Sequence, residues 1–245
     1  MNHFVIKLAD VNISVYSLYR DVIEYCKDYY SDQKPDFGII SKKEDILYER
    51  EILEQTVLRE GRKRRNYSDA YLEELSIYRK IAQEMVKYDT LLFHGSAVAM
   101  DGEGYIFTAP SGTGKSTHTR LWKETYGEKV RYINDDKPLI KLAAGGPIVY
   151  GTPWDGKHRL SSNIQVPLKA ICVLSRSEKN HIVPISPSEA LPVLFQQTYR
   201  DFETDILRQT IPMIDRLSKS VKLYHLHCNM QREAALVACE GMRGN

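Results

Sequence analysis

The sequence predicts an α/β protein in two parts, a small α+β region over residues 1–89 and an α/β core over residues 90–245. Two observations support this division. Up to Asp89, one or two alternating strands are followed mostly by helical patterns. After it, short apolar runs bounded by Gly, Asp or Pro predict buried strands. These runs alternate with helical patterns, an order typical of α/β folds.

The composition is that of an ordinary globular protein. The 245 residues are 42% hydrophobic and 27% charged, with a net charge of +2, so no strong field is present to attract nucleic acid. The four cysteines lie at no metal-ligand spacing, and we expect reduced thiols. No run of about 18 apolar residues occurs, and residues 1–10 do not resemble a signal peptide. We therefore expect a cytoplasmic protein that does not enter a membrane.

The N-terminal region is predicted to begin with strands and to end with a helix. Strands are expected at residues 3–17 and 37–40, and helices at residues 17–29 and 71–88. The basic run at residues 61–66 is interpreted as a solvated surface turn. A docking patch for an acidic peptide or nucleic acid is the alternative.

The core region is predicted to alternate strands and helices. Strands are expected at residues 91–93, 105–107, 130–133, 170–174 and 222–226, and helices at residues 188–197, 202–211 and 232–242. Alternation along the last strand places His225 and His227 on one face and Cys228 on the other. We interpret these three residues as packing residues and not as a metal site.

A glycine-rich loop follows the strand that ends at residue 108 and precedes a helical pattern. Its residues are Ser111, Gly112, Thr113, Gly114, Lys115, Ser116 and Thr117. Strand, glycine loop and helix form the context that a phosphate-binding loop requires. Glycines allow backbone N–H groups to point at phosphate oxygens, and the helix N-terminus adds partial positive charge. We expect Lys115 to reach the terminal phosphates of ATP and Ser116 to bind Mg²⁺, although Ala109 replaces the usual first glycine.

Two adjacent carboxylates, Asp135 and Asp136, follow the strand at residues 130–133. The ends of parallel strands face the ligand crevice of an open sheet. We expect one aspartate to hold Mg²⁺ and the other to accept the proton of an attacking hydroxyl. Asp135 is assigned as the base and Asp136 as the metal ligand, while the reverse division and a plain solvated turn stay open.

His94 ends the strand at residues 91–93, and the following strand leads to the glycine loop. A single histidine is more often structural than catalytic. Because of its place in the chain, we nevertheless treat His94 as a candidate neighbour of the aspartate pair.

Together these motifs resemble the HPr kinase/phosphorylase family, which belongs to the phosphoenolpyruvate-carboxykinase-like P-loop kinases. The matching features are the turn His94-Gly95-Ser96, the sequence S-G-T-G-K-S at residues 111–116, and the close-following Asp135-Asp136. The resemblance covers roughly residues 90–176. It implies a P-loop core with a mixed sheet and Mg²⁺-dependent phosphate transfer from ATP to a serine hydroxyl, with Lys115, the aspartate pair and His94 as catalytic residues.

The sequence also departs from those kinases. Their acidic-arginine-glycine segment is not found, and residues 1–90 do not resemble their N-terminal domain. In place of that segment stands a turn-rich stretch at residues 150–160. Lys157 and Arg159 are expected to hold phosphate or an acidic acceptor, and Trp154 to stack on a base or shape the acceptor cleft. A turn with Trp154 packed on the core is the alternative, and Asp155 is a candidate second metal ligand.

The sequence thus predicts an ATP- and Mg²⁺-dependent kinase for a Ser or Thr hydroxyl of a peptide or small protein. Similar small proteins occur in pathways that modify ribosomal peptides, which makes a peptide serine a candidate acceptor by analogy. The alternatives are a small-molecule or carboxykinase-like phosphotransferase and a non-catalytic nucleotide sensor. The intact Lys115, Ser116 and aspartate pair argue against the sensor. GTP as donor, the reverse phosphorylase reaction and a homo-oligomeric state stay open.

Overall fold

The strands and helices fall into two units, Met1–Glu84 and Met85–Asn245, in the computed structural model. Residues 1–59, 66–199 and 204–244 are described. The sequence placed a domain boundary at residue 89, and the assignment of two separate domains stays a prediction. Residues 61–65 of the basic run lie outside the described ranges. Within those ranges, no helix has both the length and the apolar character needed to span a membrane.

The described residues of the first unit form a three-stranded sheet and three α-helices. Its elements are β1 (Asn2–Leu8), β2 (Val11–Ser17), α1 (Asp21–Tyr25), β3 (Phe37–Ile40), α2 (Lys43–Arg59) and α3 (Asp69–Met85). Strands β1 and β2 form an antiparallel hairpin, and β3 runs parallel to β2 on its other side. Alternation along β2 buries Val11, Ile13 and Val15, as the apolar pattern predicts.

Helix α2 is not predicted by the sequence, because its segment lacks a strong apolar stripe. Ion pairs between charged side chains instead connect α2 to α3. Arg79 Nε lies 2.5 Å from Glu49 Oε1, and Lys80 Nζ lies 2.5 Å from Asp45 Oδ2. Both pairs are largely buried, so they carry more weight than exposed ion pairs.

The second unit is built on a nine-stranded sheet. Its strands are β4 (Thr90–Leu92), β5 (Ser96–Met100), β6 (Glu103–Thr108), β7 (Val130–Asn134), β8 (Leu139–Ala143), β9 (Gly146–Tyr150), β10 (Gln165–Arg176), β11 (His181–Pro184) and β12 (Lys222–Cys228). The main order is β4-β8-β9-β10-β6-β5-β7, with β12 beside β10 and β11 beside β12. The sheet is mixed, as the family resemblance implies.

Strand directions bring four carboxyl ends to one edge of this sheet. Strand β10 is parallel to both β6 and β12. Strand β5 is antiparallel to its two neighbours, β6 and β7. Therefore β6, β7, β10 and β12 all run in the same direction, and their carboxyl ends share the edge at which α/β proteins bind ligands.

Helices cover both faces of the sheet. They are α4 (Lys115–Tyr126), α5 (Pro187–Gln197), α6 (Thr204–Ser220) and α7 (Arg232–Arg243). Trp122 of α4 and Ala235 of α7 belong to one buried cluster. Leu194 of α5 and Leu217 of α6 belong to another. The second unit is therefore a helix–sheet–helix sandwich.

The end of β7 is packed closely against the chain after β9. Gly151, the first residue after β9, lies at this contact. A Cβ atom at Gly151 would lie 1.9 Å from the carbonyl oxygen of Ser162 and 2.7 Å from that of Ile133. Backbone atoms cannot move aside as flexible side chains do. We expect Gly151→Ala to lower the free energy of unfolding by about 2 kcal/mol or more, measured by urea denaturation.

Gly145 provides the matched control for this substitution, because a Cβ there would meet nothing within 4 Å. Gly145→Ala is expected to change stability by less than about 0.5 kcal/mol. Equal stability of the two variants would contradict the close packing at Gly151.

Candidate active site

The glycine loop connects β6 to α4 at the shared carboxyl edge. Gly112 has φ of 80° and Gly114 has φ of 126°, both in the region that favours glycine. A Cβ at either position would meet nothing within 4 Å, so the space in front of the loop is open. The loop therefore combines a glycine-dependent backbone with the open N-terminus of α4, where anions are favoured.

Lys115 lies in the first turn of α4 and is 8% exposed. Its ammonium donates a hydrogen bond to the carbonyl oxygen of Ala109 at 2.9 Å. Burial lowers the pKa of Lys115, and the negative charges of Asp136 and Asp135 oppose this shift. Ala109 is fully buried in the core and has no positive φ, which explains why glycine is not needed there.

Asp135 directly follows β7 and is 5% exposed. One carboxylate oxygen accepts hydrogen bonds from the hydroxyl of Ser96 and, at 3.3 Å, from that of Thr119. The Ser116 hydroxyl is a further donor to this carboxylate. Burial raises the pKa of Asp135, and the hydroxyl donors oppose the shift. The site thus contains a buried carboxylate beside the residue that the sequence assigns to Mg²⁺.

The side chain of Asn134 turns the chain at this point. Its Oδ1 accepts hydrogen bonds from the backbone N–H of Asp136 at 2.9 Å and of Lys137 at 2.6 Å. Its Nδ2 donates to the hydroxyl of Thr152 at 2.9 Å. This turn ends the alternation of the strand. Both neighbouring aspartates consequently lie close enough to Lys115 to affect its pKa.

His94 lies beside the second aspartate. Its Nε2 is 3.6 Å from Asp136 Oδ1, and its Nδ1 is 2.8 Å from Gln197 Oε1. Burial lowers the pKa of His94, the charge of Lys115 lowers it further, and Asp136 opposes both effects. Burial is the largest of these effects, and it favours the neutral form of the imidazole. Gln197 is distant in sequence, and no pattern there indicates its contact with His94.

The turn-rich segment at residues 151–163 runs along the end of β7. The backbone N–H of Asp135 donates to the carbonyl oxygen of Leu160 at 3.0 Å. Lys157 and Arg159 are exposed beside this contact. Trp154 is only 2% exposed, so its indole offers no open face to a base or an acceptor. This burial fits the alternative in which Trp154 packs on the core, while a role in shaping the acceptor cleft stays a prediction.

Asp155 is buried near the pair and interacts mainly with its own segment. Its Oδ2 accepts a hydrogen bond from the Ser161 hydroxyl at 2.9 Å, and Arg159 Nη1 lies 3.9 Å from its Oδ1. Burial raises the pKa of Asp155, and the charge of Asp136 adds to the shift. In the described ranges, no three His, Cys, Asp or Glu side chains form a metal-binding group.

The two histidines of β12 pack against each other, as strand alternation predicts. The rings of His225 and His227 are stacked with centroids 4.2 Å apart, and each hydrogen-bonds the Ser175 hydroxyl at 2.9 Å. The two rings are therefore held by each other and by one shared hydroxyl, which fits their interpretation as packing residues.

His118 anchors α4 behind the glycine loop and is 2% exposed. Trp122 Nε1 donates to its Nε2 at 3.2 Å, and its ring meets Phe107 of β6 edge-on at a centroid distance of 4.5 Å. Burial lowers the pKa of His118 to about 3. A neutral imidazole therefore fixes the first turns of α4 against the strand that precedes the loop.

The fold and the site define an α/β protein whose glycine loop, buried lysine and paired aspartates meet at one edge of a mixed sheet. Residues 67–233 match the family described as SynChlorMet cassette protein ScmC. The chain belongs to this family. A comparison with curated protein sequences found no match.

A solved structure of the Hpr(Ser) kinase/phosphatase from Coxiella burnetii is similar to part of this chain. The two are 12% identical over 52% of this chain and 92% of the other, with a TM-score of 0.30. At this TM-score the likeness carries no argument about the fold or the activity, which must be inferred from the site itself.

The buried state of His118 gives a pH-dependent prediction. Its pKa in the folded protein is about 3, whereas an unfolded histidine has a pKa of about 6.5. The unfolded chain therefore binds the extra proton as the pH falls below about 6.5, and stability is lost. The free energy of unfolding of the wild type and of His118→Gln can be measured by urea denaturation at both pH values. We expect the difference, wild type minus variant, to fall by about 2 kcal/mol from pH 7 to pH 5.

The glutamine side chain of this variant cannot gain a proton but can still accept a hydrogen bond from Trp122, so the comparison isolates the titration. A stability difference that is the same at both pH values would show that His118 is not held neutral.

Proposed function

We propose that the chain is a Mg²⁺-dependent kinase that transfers the γ-phosphate of ATP to a Ser or Thr hydroxyl of a peptide or small protein. One observation carries this proposal. Lys115 and Ser116 begin the helix after the glycine loop. The Ser116 hydroxyl donates a hydrogen bond to the buried Asp135, and the more exposed Asp136 lies beside His94. The site thus combines groups for binding phosphate, for holding a metal and for accepting a proton.

The groups around the glycine loop fit a polyphosphate with Mg²⁺. The N-terminus of α4 and the ammonium of Lys115 both favour phosphate oxygens. Mg²⁺ prefers hard oxygen ligands, and the Ser116 hydroxyl and the Asp135 carboxylate supply them. Bound Mg²⁺ supplies neutralisation of the charge on the phosphate oxygens.

We assign Asp135 to the metal and Asp136 to the proton, the reverse of the division drawn from the sequence. The buried Asp135 accepts three hydroxyl hydrogen bonds, and a carboxylate with a raised pKa gains most from a neighbouring cation. Asp136 has a 30% exposed side chain, so an incoming hydroxyl can reach it.

His94 is a positioning residue in this scheme. Its neutral ring lies between Gln197 and Asp136, and the contact with Gln197 limits the rotation of the ring. A neutral imidazole does not offset the negative charge of Asp136. A general base needs this charge to accept a proton.

The proposed reaction is a single phosphoryl transfer. The acceptor oxygen bonds to the γ-phosphorus, the bond from that phosphorus to the β–γ bridging oxygen breaks, and ADP leaves. The proton of the acceptor hydroxyl passes to Asp136. Lys115 stabilises negative charge on the phosphate oxygens throughout.

The open side of Asp136 indicates how the acceptor approaches. Lys157, His158 and Arg159 are exposed in the segment that lies along the aspartate pair. These groups favour a Ser or Thr flanked by acidic residues. Incubation with γ-phosphate-labelled ATP, Mg²⁺ and a library of Ser- and Thr-containing peptides, read by mass spectrometry, tests the proposal. Labelled peptides enriched in Asp and Glu would support it, whereas nucleotide binding without transfer to any peptide would overturn it.

Replacement of Lys115 tests the phosphate site. Lys115→Met keeps most of the buried side-chain volume and removes the charge. We expect the rate of phosphate transfer to fall by at least about 10²-fold, because the electrostatic stabilisation at the terminal phosphates is lost. The matched control is Lys123→Met. Lys123 lies in the last turn of α4 and pairs with Glu128 just beyond the helix, so this variant should retain the activity. Turnover by Lys115→Met at the wild-type rate would show that the glycine loop is not the site of the terminal phosphates.

The Mg²⁺ dependence of ATP binding distinguishes the proposed roles of the two aspartates. Asp135→Asn removes a proposed Mg²⁺ ligand, so we expect it to need at least about tenfold more Mg²⁺ for ATP binding, measured by titration calorimetry. Asp136→Asn is expected to bind Mg²⁺ and ATP normally and to lose transfer by about 10²-fold or more. The opposite pattern would restore the division in which Asp135 is the base, and full activity of either variant would disprove a two-carboxylate mechanism.

A further inference from the structure

We propose that the exposed side of helix α2 binds a basic amphipathic helix of a partner protein. Helix α2 carries apolar side chains on two opposite sides, and the described residues of its own unit cover only one of them. The exposed side lies entirely within the first unit. Its use as a binding surface does not depend on the activity proposed for the glycine loop.

The two sides of α2 differ in burial. On the inner side, Ile46, Glu49 and Val57 are buried, and Glu49 pairs with Arg79 of α3. The outer side carries four apolar side chains that are between 41% and 64% exposed, namely Leu47, Tyr48, Ile52 and Leu58. A helix with apolar residues on two sides is typical of one that has a neighbour on both.

Exposed apolar side chains are concentrated in the first unit. In the described ranges, ten of the fifteen large hydrophobic side chains that are exposed belong to this unit, which holds 84 of the 245 residues. Four of these ten lie on α2. Single exposed apolar residues are ordinary, whereas several on one side of a helix mark an interaction surface.

Three exposed glutamates lie among these apolar residues. They are Glu44, Glu51 and Glu54, and none of them forms an ion pair with another described residue. One row along the helix, with spacings of four, three and four residues, contains Leu47, Glu51, Glu54 and Leu58. We call the four apolar residues and the three glutamates the α2 surface. Its charge favours a partner that carries lysine or arginine beside its apolar residues.

The glutamates also disfavour the other occupants of an exposed apolar surface. In a symmetric dimer, a second α2 would place glutamates opposite glutamates, and such like-charge contacts are unfavourable. An anionic membrane and a nucleic acid both carry negative charge and would be repelled. A cationic protein segment is the occupant that satisfies both the apolar and the acidic groups.

The dimensions of the α2 surface fit a short helix. Leu47 and Leu58 are eleven residues apart, which corresponds to about 16 Å along the helix axis. Tyr48 and Ile52, four residues apart, form a ridge of the kind that packs into the grooves of a second helix. Arg79 Cζ lies 4.7 Å from the centroid of the Tyr48 ring and holds this ring in place. We therefore expect a partner helix of about three turns.

A synthetic peptide of leucine and lysine is the probe for this surface. It has about 18 residues, with leucine at positions i, i+3, i+4 and i+7 so that it forms an amphipathic helix. Fluorescence anisotropy of the labelled peptide measures its Kd for the full chain at about 0.1 M salt. We expect saturable binding at one site. A peptide with glutamate in place of lysine, and a scrambled leucine–lysine peptide, should bind at least about tenfold more weakly.

Replacement of apolar residues tests whether the peptide binds at α2. Glutamine at Leu47 and Ile52 removes apolar surface and retains a good helix former. We expect Leu47→Gln with Ile52→Gln to raise the Kd of the leucine–lysine peptide by at least about tenfold. The matched control is Leu191→Gln with Ile211→Gln, at exposed apolar residues of α5 and α6, which should leave the Kd unchanged. Equal melting temperatures by circular dichroism establish that both variants are folded.

Charge reversal tests the acidic part of the surface. We expect Glu51→Lys with Glu54→Lys to raise the Kd by about tenfold at 0.1 M salt and by less at 1 M salt, because salt screens exposed charges. Glu124→Lys with Glu128→Lys, at exposed glutamates of the second unit, is the control and should have little effect.

Three results would overturn the proposal. The first is no binding of the leucine–lysine peptide, or binding that the α2 variants do not weaken. The second is a dimer in analytical ultracentrifugation that Leu47→Gln with Ile52→Gln dissociates, which would identify a second copy of the chain as the occupant. The third is binding to phosphatidylserine vesicles that the same variant abolishes, which would identify a membrane.

Discussion

The buried carboxylate of Asp135 is the interaction on which the arrangement of the site depends. It accepts hydrogen bonds from Ser96 on β5 and Thr119 on α4, and it follows directly on β7. Three elements therefore meet at one negative charge in the core. Since burial raises the pKa of this group, the protein maintains a carboxylate where an apolar or neutral residue would be easier to bury. Such an unfavourable charge is typical of sites that bind a cation.

The direction of the strands explains why the remaining groups gather around this charge. The carboxyl ends of four parallel strands share an edge, and the glycine loop follows β6, one of the two inner strands of this set. The antiparallel β5 between β6 and β7 leaves the width of one strand between the loop and Asp135. Ser96 of that strand bridges the gap. The Asn134 turn then places Asp136 beside His94, so two adjacent carboxylates acquire different surroundings.

The sequence predicts the strands and the helix that surround the candidate site, because their geometry is local. Strand, loop and helix around Lys115 follow from short-range patterns, and the end of β7 follows from Asn134 and the aspartates. The antiparallel β5, β8 and β9 are not predicted. Strands β5 and β8 contain alanine and β9 begins with Gly-Pro, and these residues are depleted in strands. Burial of Trp154 and the contact of Gln197 with His94 arise from tertiary packing between distant segments. No local pattern encodes them. The proposed division of roles between the aspartates likewise rests on a difference in burial that no local pattern encodes.

The central claim is that Asp135, with Ser116, forms the metal side of a nucleotide site. The most direct measurement is a crystal structure with Mn²⁺ and a non-hydrolysable ATP analogue, in which anomalous scattering locates the metal. The account predicts one metal within about 2.1 Å of Ser116 Oγ and an Asp135 oxygen, the distance usual for such octahedral ions. A metal bound by Asp136 alone, with Asp135 still hydrogen-bonded to the hydroxyls of Ser96, Ser116 and Thr119, would contradict it.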